Sequence, residues 1–371
     1  MRRYENARRP ATAPCEGKNK LESPQTESMN MCTRLTWARL LALALAVLSM
    51  VGTGFGAARA ASRAPRVPIA VEKLTVALAS TPHAALLHLA ARKGYFADEG
   101  LDVSLVPVSH GKAAMDLLEQ GKVDLAAAAE VPFVLSVMKG QPVSIAATVA
   151  SISTEMAVVA RKDRAIAAPR DLVGKNIGVP LGTSGEYYLW AFLIRHKLPP
   201  DSIKMVDLPP GQLTQQLASG AVDAASTWQP VRFAAEAALG DNGLAFVESD
   251  AYTVTHVVVG NTAFLKSHAT ALQKFTRALL RAERFTKVLP QQAMALVAEQ
   301  MKVTPQALQQ GWQDLELRVD LRQSQLITLE DEARWAIARG YVDTKALPNF
   351  LSHLYLDALL TVQPDRVTVV R

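Results

Sequence analysis

The sequence predicts an α/β protein of two similar lobes, each a mostly parallel sheet flanked by helices, with a C-terminal helical tail. Short apolar strands alternate with amphipathic helices from about residue 71 to residue 259, which favours parallel sheets covered by helices. One turn pattern occurs twice, far apart in the chain, which favours two equivalent lobes over a solenoid. After Leu265 the sequence reads as helices only.

The repeated turn reads Gly121-Lys-Val-Asp124 in the first copy and Gly220-Ala-Val-Asp223 in the second. Each glycine is placed to end a helix, where a left-handed backbone conformation is favoured. Each Val-Asp pair then begins an apolar strand. We expect both aspartates to be structural and to bond turn amides, because short acidic side chains commonly do so.

The order of elements divides the chain into lobe one, residues 61–155 with 256–371, and lobe two, residues 156–255. Two crossings between the lobes, near Ser153–Val158 and Thr255–Gly260, should form a hinge. Ligands of open α/β sheets bind beyond the carboxyl ends of the strands. The strand ends of two facing lobes should therefore define one cleft.

Residues 1–60 are predicted to be an N-terminal extension and a cleaved secretory signal peptide. Arg34 and Arg39 precede the apolar run Leu40–Val51, and small residues follow up to Ala60. The run is shorter than the roughly 20 residues that span a bilayer, although a buried helix or a membrane anchor is the alternative. We expect cleavage after Ala60.

We expect translation to start at Met29 or Met31 rather than at Met1, because a signal peptide normally begins the chain. Both cysteines, Cys15 and Cys32, precede the cleavage point. The mature chain would then have no disulfide, no thiolate chemistry and no lipid attachment point. A periplasmic protein that is not a lipoprotein is expected, and it should be a monomer.

The formal net charge of +6 comes mostly from the presequence. Residues 1–60 hold nine of the 40 basic residues and four of the 34 acidic ones, which leaves a net of +1. Nucleic-acid binding would need a clustered basic surface on the folded domain. No nucleic-acid partner is therefore expected.

Four stretches carry a resemblance to a known family: Gly94–Leu101, Gly121–Ala126, Asp171–Val179 and Gly220–Ala224. They resemble the type II periplasmic solute-binding proteins of ABC importers, in the nitrate/sulfonate/taurine branch. The resemblance implies a protein that binds a small ligand between its lobes and docks on an ABC permease in the inner membrane. It implies no catalysis and no cofactor.

The turn of lobe two that follows its first strand is a candidate anion site. Thr183, Ser184 and Gly185 open a helix, whose free N–H groups and partial positive charge favour an anion. The alternative is that Thr183 or Ser184 only caps the helix. Tyr187 in the same helix would suit an aromatic ring. Further along, Trp228 and Gln229 follow another strand, where an indole could wall the cleft or lie in the core.

In lobe one the corresponding turns offer polar groups after three strands. Ser80, Thr81 and His83 follow the first strand, and His110 follows the second. Glu130 follows the third, where it could receive a ligand amine or cap a helix. No metal site is expected, because His83 and His88 would lie on different faces of a helix.

Weaker candidates lie at the expected crossings. Arg161 could pair with an anionic head group or could be a solvated turn residue. Tyr252, Thr255 and His256 approach the second crossing.

The leading interpretation is a receptor for a small anion of the aliphatic sulfonate, taurine or nitrate type. The alternative ligands are an aromatic acid or a thiamine-precursor pyrimidine. An enzyme on the same fold is a rival, since pyrimidine synthases of the thiamine pathway resemble these lobes. Those enzymes are cytosolic and carry a Cys-rich segment, whereas this chain has an export signal and no cysteine after residue 60. A sensor input would need a separate output partner.

Overall fold

Two sheets organise the part of the chain that the structure describes, residues 71–370 apart from the side chain at position 310. The computed structural model places these residues in one unit, Pro68–Arg371. The predicted signal peptide, its cleavage point and both cysteines lie outside the described residues. None of the described helices combines the length and the hydrophobicity that crossing a membrane requires.

Eleven strands occur in the described residues. In chain order they are β1 (Glu72–Ala79), β2 (Leu101–Val108), β3 (Leu125–Ala129), β4 (Val143–Ile152), β5 (Ala157–Arg161), β6 (Asn176–Val179), β7 (Lys204–Asp207), β8 (Ala224–Thr227), β9 (Gly243–Phe246), β10 (Val254–Asn261) and β11 (Glu316–Asp320). One sheet has the order β11-β4-β10-β3-β1-β2, and the other has the order β7-β6-β8-β5-β9.

Each sheet contains parallel strands and one antiparallel strand that directly follows a crossing from the other sheet. In the six-stranded sheet of lobe one, β1 is parallel to β2 and β3, while β10 is antiparallel to β3 and β4. In the five-stranded sheet of lobe two, β6 is parallel to β7 and β8, while β5 is antiparallel to β8 and β9. The parallel strands send their carboxyl ends to one edge of each sheet, where a ligand site is expected.

Thirteen α-helices flank these sheets in the described residues. They are α1 (Ala85–Arg92), α2 (Tyr95–Asp98), α3 (Gly111–Glu119), α4 (Glu130–Met138), α5 (Ser184–Arg195), α6 (Pro210–Ser219), α7 (Val231–Leu239), α8 (Thr262–Ser267), α9 (Ala269–Val288), α10 (Pro290–Met301), α11 (Pro305–Trp312), α12 (Gln323–Ala338) and α13 (Asp357–Val362). The longest, α9, buries Leu272, Phe275 and Leu279 on one face and packs on α1 and β11. That spacing of three and four residues is the apolar stripe of a helix against a core.

The expectation that only helices follow Leu265 is wrong at residues 316–320. There Leu317 and Val319 are buried while Glu316 is exposed, which is the alternation of a strand. The segment pairs antiparallel with β4 and extends the sheet of lobe one. A strand of five residues between long helices gives too short a pattern to stand out in the sequence.

The repeated turn has the same role in both lobes. Gly121 and Gly220 have φ of +66° and +80°, the left-handed conformation that ends α3 and α6. The carboxylate of Asp124 accepts hydrogen bonds from Thr75 N and Thr75 Oγ1, both at 2.7 Å. Asp223 accepts from Asn176 N at 2.9 Å. The aspartates are structural, as expected, but they hold the neighbouring strand instead of their own turn.

The chain passes between the sheets twice. Residues 153–156 connect β4 to β5, and residues 247–253 connect β9 to β10. The predicted second crossing, Thr255–Gly260, is therefore wrong, because those residues lie inside β10 between β3 and β4. The apolar run Val257–Val259 would fit a buried strand of either lobe, so the sequence pattern alone could not show to which sheet it belongs.

Candidate functional site

A cavity with a mostly apolar lining lies between the two lobes at the carboxyl ends of their strands. It encloses about 630 Å³ of empty space, part of which opens to solvent. Strand ends, helix starts and the first crossing all contribute to its wall. The lining residues are Ala79, Thr81, His83, Ala84, His110, Gly111, Lys112, Ala127, Ala128, Ala129, Pro132, Val149, Glu155, Met156, Thr183, Ser184, Trp228, Val254 and His256.

On the side of lobe one, the start of α3 comes very close to the end of β3. A Cβ atom on Gly111 would lie 3.0 Å from Ala128 Cα, so any larger residue would press on the end of β3. The close packing turns the first residues of α3, together with His110, toward the cavity. Burial and the charge of Lys112 lower the pKa of His110, which favours its neutral form.

Lys112 spans the gap between the lobes. It is half-buried, and its Cε lies 3.3 Å from the position that a Cβ atom would take on Gly182 of lobe two. Within residues 71–370 its ammonium makes no ion pair or hydrogen bond, and unlike the exposed lysines it lines the cavity. A partly desolvated ammonium without a counter-charge is suited to bind an anion.

On the side of lobe two, the turn before α5 places Thr183 and Ser184 in the wall. Thr183 Oγ1 donates to Pro180 O at 2.7 Å and accepts from Gly185 N at 3.2 Å. The capping alternative therefore describes the hydroxyl of Thr183. Gly182 N donates to Glu186 Oε2 at 2.8 Å, so a buried carboxylate already occupies part of this helix start. The hydroxyl of Ser184 remains beside the cavity.

Trp228 forms part of the wall at the end of β8. One ring carbon lies 3.2 Å from the position that a Cβ atom would take on Gly185, so the indole packs on the first turn of α5. The side chain is half-buried and lines the cavity, and an indole there can contact an apolar or aromatic group.

At the hinge side, three ionisable side chains from distant parts of the chain meet. His83 Nε2 lies 2.5 Å from Glu155 Oε2, and His256 Nε2 lies 3.7 Å from Glu155 Oε1. The two imidazole rings stack with centroids 3.9 Å apart and planes 3° apart. We call these three residues the His-Glu-His cluster.

The buried environment sets the charges of this cluster. Burial alone would raise the pKa of Glu155, but the charge of His83 and the contact with His256 lower it to about 2. Burial and the charge of His83 lower the pKa of His256 to about 4. At neutral pH the cavity wall therefore presents an ionised carboxylate and a neutral imidazole side by side.

Glu130, a predicted ligand contact, lies outside the cavity wall. Its side chain has 0% exposure, and both oxygens accept from Thr255 N, at 2.9 and 2.8 Å. Burial raises its pKa to about 8, an effect that the neighbouring Glu155 increases. Nearby, Tyr252 OH donates to Glu332 Oε1 at 2.9 Å. Glu130 thus belongs to a buried acid group that joins lobe one, the second crossing and α12.

Four other predicted residues lie outside the lining. Ser80 is exposed, and Gly185 lies beneath Trp228. Tyr187 packs edge-on against Tyr252 and Trp335. The side chain of Gln229 packs over Gly311.

The remaining predicted residues do line the cavity: Thr81, His83, His110, Thr183, Ser184 and Trp228. Of the weaker candidates, His256 lines it as well. Arg161 instead donates to Leu217 O and Ala218 O, at 2.8 and 2.7 Å, and pairs with Asp163. Which of the lining residues contact a ligand stays a prediction.

Three further residues line the cavity that were not predicted from the sequence: Lys112, Glu155 and Met156. Lys112 follows the predicted end of a strand by only a few residues, so the rule that found His110 could have reached it. Glu155 carries no such signal, because it lies in the short crossing between β4 and β5.

Comparison with known proteins gives a family and a set of relatives. The family model described as NMT1/THI5 like matches residues 81–293. A Brucella abortus (strain 2308) protein named as a binding protein is 26% identical over 224 residues, 58% of this chain and 67% of the relative. The taurine-binding periplasmic protein of Escherichia coli (strain K12) is 23% identical over 192 residues, 50% of this chain and 58% of the relative.

Two further relatives are named for thiamine-type pyrimidines. The formylaminopyrimidine-binding protein of Halalkalibacterium halodurans is 34% identical over 114 residues, 30% of this chain and 34% of the relative. A 4-amino-5-hydroxymethyl-2-methylpyrimidine phosphate synthase of Aspergillus parasiticus is 27% identical over 227 residues, 57% of this chain and 65% of the relative. Binding proteins and an enzyme therefore both occur among the relatives.

Solved structures confirm the expected fold. The periplasmic aliphatic sulphonate binding protein of Escherichia coli matches with a TM-score of 0.65 at 16% identity, covering 77% of this chain and 98% of that one. The alkanesulfonate-binding protein of Xanthomonas axonopodis pv. citri, solved with MOPS bound, matches with a TM-score of 0.66 at 16% identity, covering 76% and 98%. At these identities the likeness shows the two-lobe periplasmic-binding-protein fold.

Proposed function

The chain belongs to the NMT1/THI5-like family, and on this premise we propose that it is the extracytoplasmic solute-binding component of an ABC importer. Its ligand is a small anion of the aliphatic sulfonate, taurine or nitrate type, held in the cavity between the lobes and delivered to a permease. The names of the taurine-binding and sulphonate-binding relatives support this ligand class. The protein binds and releases its ligand without changing it.

The observation that carries the proposal is Lys112. Lys112 lines the cavity, its ammonium has no carboxylate partner among the described residues, and its side chain reaches across to lobe two. An anion bound beside it would contact both lobes, because Ser184 and the first turn of α5 lie on the opposite wall. Such a ligand would favour the closed arrangement of a hinged pair of lobes.

The test is a thermal-shift and calorimetric panel on the purified protein in a buffer without sulfonates. The panel includes taurine, short alkanesulfonates, nitrate, aromatic acids and a 4-aminopyrimidine. We expect at least one anion to raise the melting temperature, as a ligand that binds only the folded state must. Stabilisation by the pyrimidine alone would contradict the ligand class.

Lys112→Met then tests the residue directly. A charge-assisted hydrogen bond contributes about 1.5–3 kcal/mol, so the affinity for the anion should fall by roughly 10- to 100-fold. Lys139→Met is the matched control, because Lys139 is exposed at the far end of α4. Equal affinity of both variants would contradict the role of Lys112.

A second candidate ligand is a thiamine-precursor pyrimidine. Trp228 offers a ring face to the cavity, and the ionised Glu155 could accept N–H groups of an aminopyrimidine. The formylaminopyrimidine-binding relative supports this alternative. The same panel separates the two ligands, because only the anion should lose affinity in Lys112→Met.

A further inference from the structure

The His-Glu-His cluster has a geometry that neither sulfonate nor nitrate binding uses. His83 and His256 each bring a ring nitrogen, and Glu155 brings a carboxylate oxygen. These three atoms lie within 4.8 Å of one another. Both histidines turn Nε2 toward the carboxylate of Glu155, which is 1% exposed. Three potential donor atoms therefore converge on one small volume at the edge of the cavity.

These atoms are close together, but they do not satisfy one another. His256 Nε2 and Glu155 Oε2 are both buried without a hydrogen-bond partner. Buried polar groups in native proteins nearly always have a partner, and those without one point to an ion, a ligand or a water. His83 Nε2 and Glu155 Oε2 form a close ion pair, but one without hydrogen-bond alignment.

We propose that His83, Glu155 and His256 bind one divalent transition-metal ion, of the kind represented by zinc and cobalt. Two imidazole nitrogens and one carboxylate oxygen are a donor set that zinc takes in tetrahedral sites with a fourth, open position. Hard cations such as calcium and magnesium prefer oxygen ligands, which makes them poor occupants. This site goes beyond the proposed anion binding and does not depend on it.

Two adjustments are needed for coordination. Two ligand atoms that lie about 2.0–2.1 Å from a tetrahedral zinc ion are about 3.3 Å apart, so Glu155 Oε2 must move away from His83 Nε2, which is now 2.5 Å from it. An ion lies in the plane of each imidazole that binds it, and the two rings are now parallel. His256 is the ring that can tilt, because its side chain is 18% exposed whereas that of His83 is 3% exposed. The fourth position of the ion would face the cavity, which Thr81 and Ser184 also line.

The location of the three residues gives the ion a structural consequence. His83 lies in the turn between β1 and α1, Glu155 in the first crossing, and His256 near the start of β10, just after the second crossing. A bound ion would tie the first crossing to lobe one. Zinc should therefore raise the melting temperature as well as bind with defined stoichiometry.

The test uses the purified protein, without a histidine tag, after treatment with a chelator. Titration with Co²⁺ is followed by visible absorption, and titration with Zn²⁺ by calorimetry. We expect one ion per chain and a Co²⁺ spectrum of four or five coordination with nitrogen ligands. Glu155→Gln and His256→Ala should each lower the affinity for Zn²⁺ by at least about tenfold, since even indirect supports of metal ligands have effects of this size.

His268→Ala is the control for binding to any surface histidine, because His268 is an exposed histidine outside the cavity. It should bind Zn²⁺ like the unchanged protein. The near-isosteric Glu155→Gln keeps the proposal testable if His256→Ala fails to fold, and circular dichroism checks both. Absence of one-to-one binding, or binding that survives both substitutions in folded protein, would overturn the site. Neither result would affect the anion panel.

Discussion

The two lobes share one turn, but the residues that follow it have diverged. After the strand that the turn begins, lobe one has Glu130 and lobe two has Trp228. Glu130 is buried and bonds the backbone of β10, whereas Trp228 packs on α5 and lines the cavity. Two residues can therefore occupy equivalent positions after a strand in the two lobes, while only one of them lines the cavity.

The walls of the cavity differ in the same way. Lobe two contributes hydroxyl groups and an indole, from Thr183, Ser184 and Trp228. Lobe one and the hinge contribute the ionisable groups, namely His110, Lys112 and the His-Glu-His cluster. The ionisable groups of the lining are therefore concentrated on one side, and lobe two contributes neutral side chains.

The largest effect should come from Glu130→Gln, measured as stability against pH. Burial raises the pKa of Glu130 to about 8, so its protonated form favours the folded state. The stability from this group is complete below its ordinary pKa and is lost as the pH rises through about 8. At about 1.4 kcal/mol per pKa unit, the rise in the pKa of Glu130 to about 8 corresponds to several kcal/mol in the free energy of unfolding.

We therefore expect the melting temperature of the unchanged protein to fall between about pH 5 and pH 8 relative to that of Glu130→Gln. Glu330→Gln is the control, because Glu330 lies exposed on α12 beside Arg334 and should keep the original profile. Parallel profiles for all three proteins would show that Glu130 does not titrate in this range.

An intermediate effect should separate the two aspartates of the repeat. Asp124→Ala removes two hydrogen bonds to Thr75 and leaves its amide without a partner, which should lower the free energy of unfolding by about 2–3 kcal/mol. Asp223→Ala removes one such bond, to Asn176 N, and should cost about 1 kcal/mol. Urea unfolding measures both. Equal losses would mean that the added Thr75 contact contributes nothing.

Much of the fold could be predicted because its signals are local. Each apolar segment and each Gly-x-Val-Asp turn is a pattern of only a few consecutive residues. Together these patterns predicted the two lobes. The strand at residues 316–320 was missed because its five residues hold only two buried apolar side chains, Leu317 and Val319. The second crossing was misplaced because Val257–Val259 would be equally apolar in either sheet.

The site could be predicted only where it follows a strand end. That rule places Thr81, His83 and Ser184 near the cavity, and all three line it. It fails for Glu155, which lies in a crossing, and for the meeting of Glu155 with His83 and His256. Those contacts arise when β10 returns to the first sheet, a tertiary event without a local pattern.

The smallest effect should come from Trp228→Ala, measured as ligand affinity. The indole offers apolar contact and no charge, so a small sulfonate or nitrate should lose about 1 kcal/mol of binding, roughly fivefold. An aromatic ligand would stack on the ring and should lose more, on the order of tenfold or above. Phe233→Ala, on α7 beside Arg232 and outside the cavity lining, is the control. If Trp228→Ala weakens an aromatic ligand much more than a small anion, lobe two selects ligands that contain a ring. If the two ligands lose affinity equally, Trp228 only bounds the cavity.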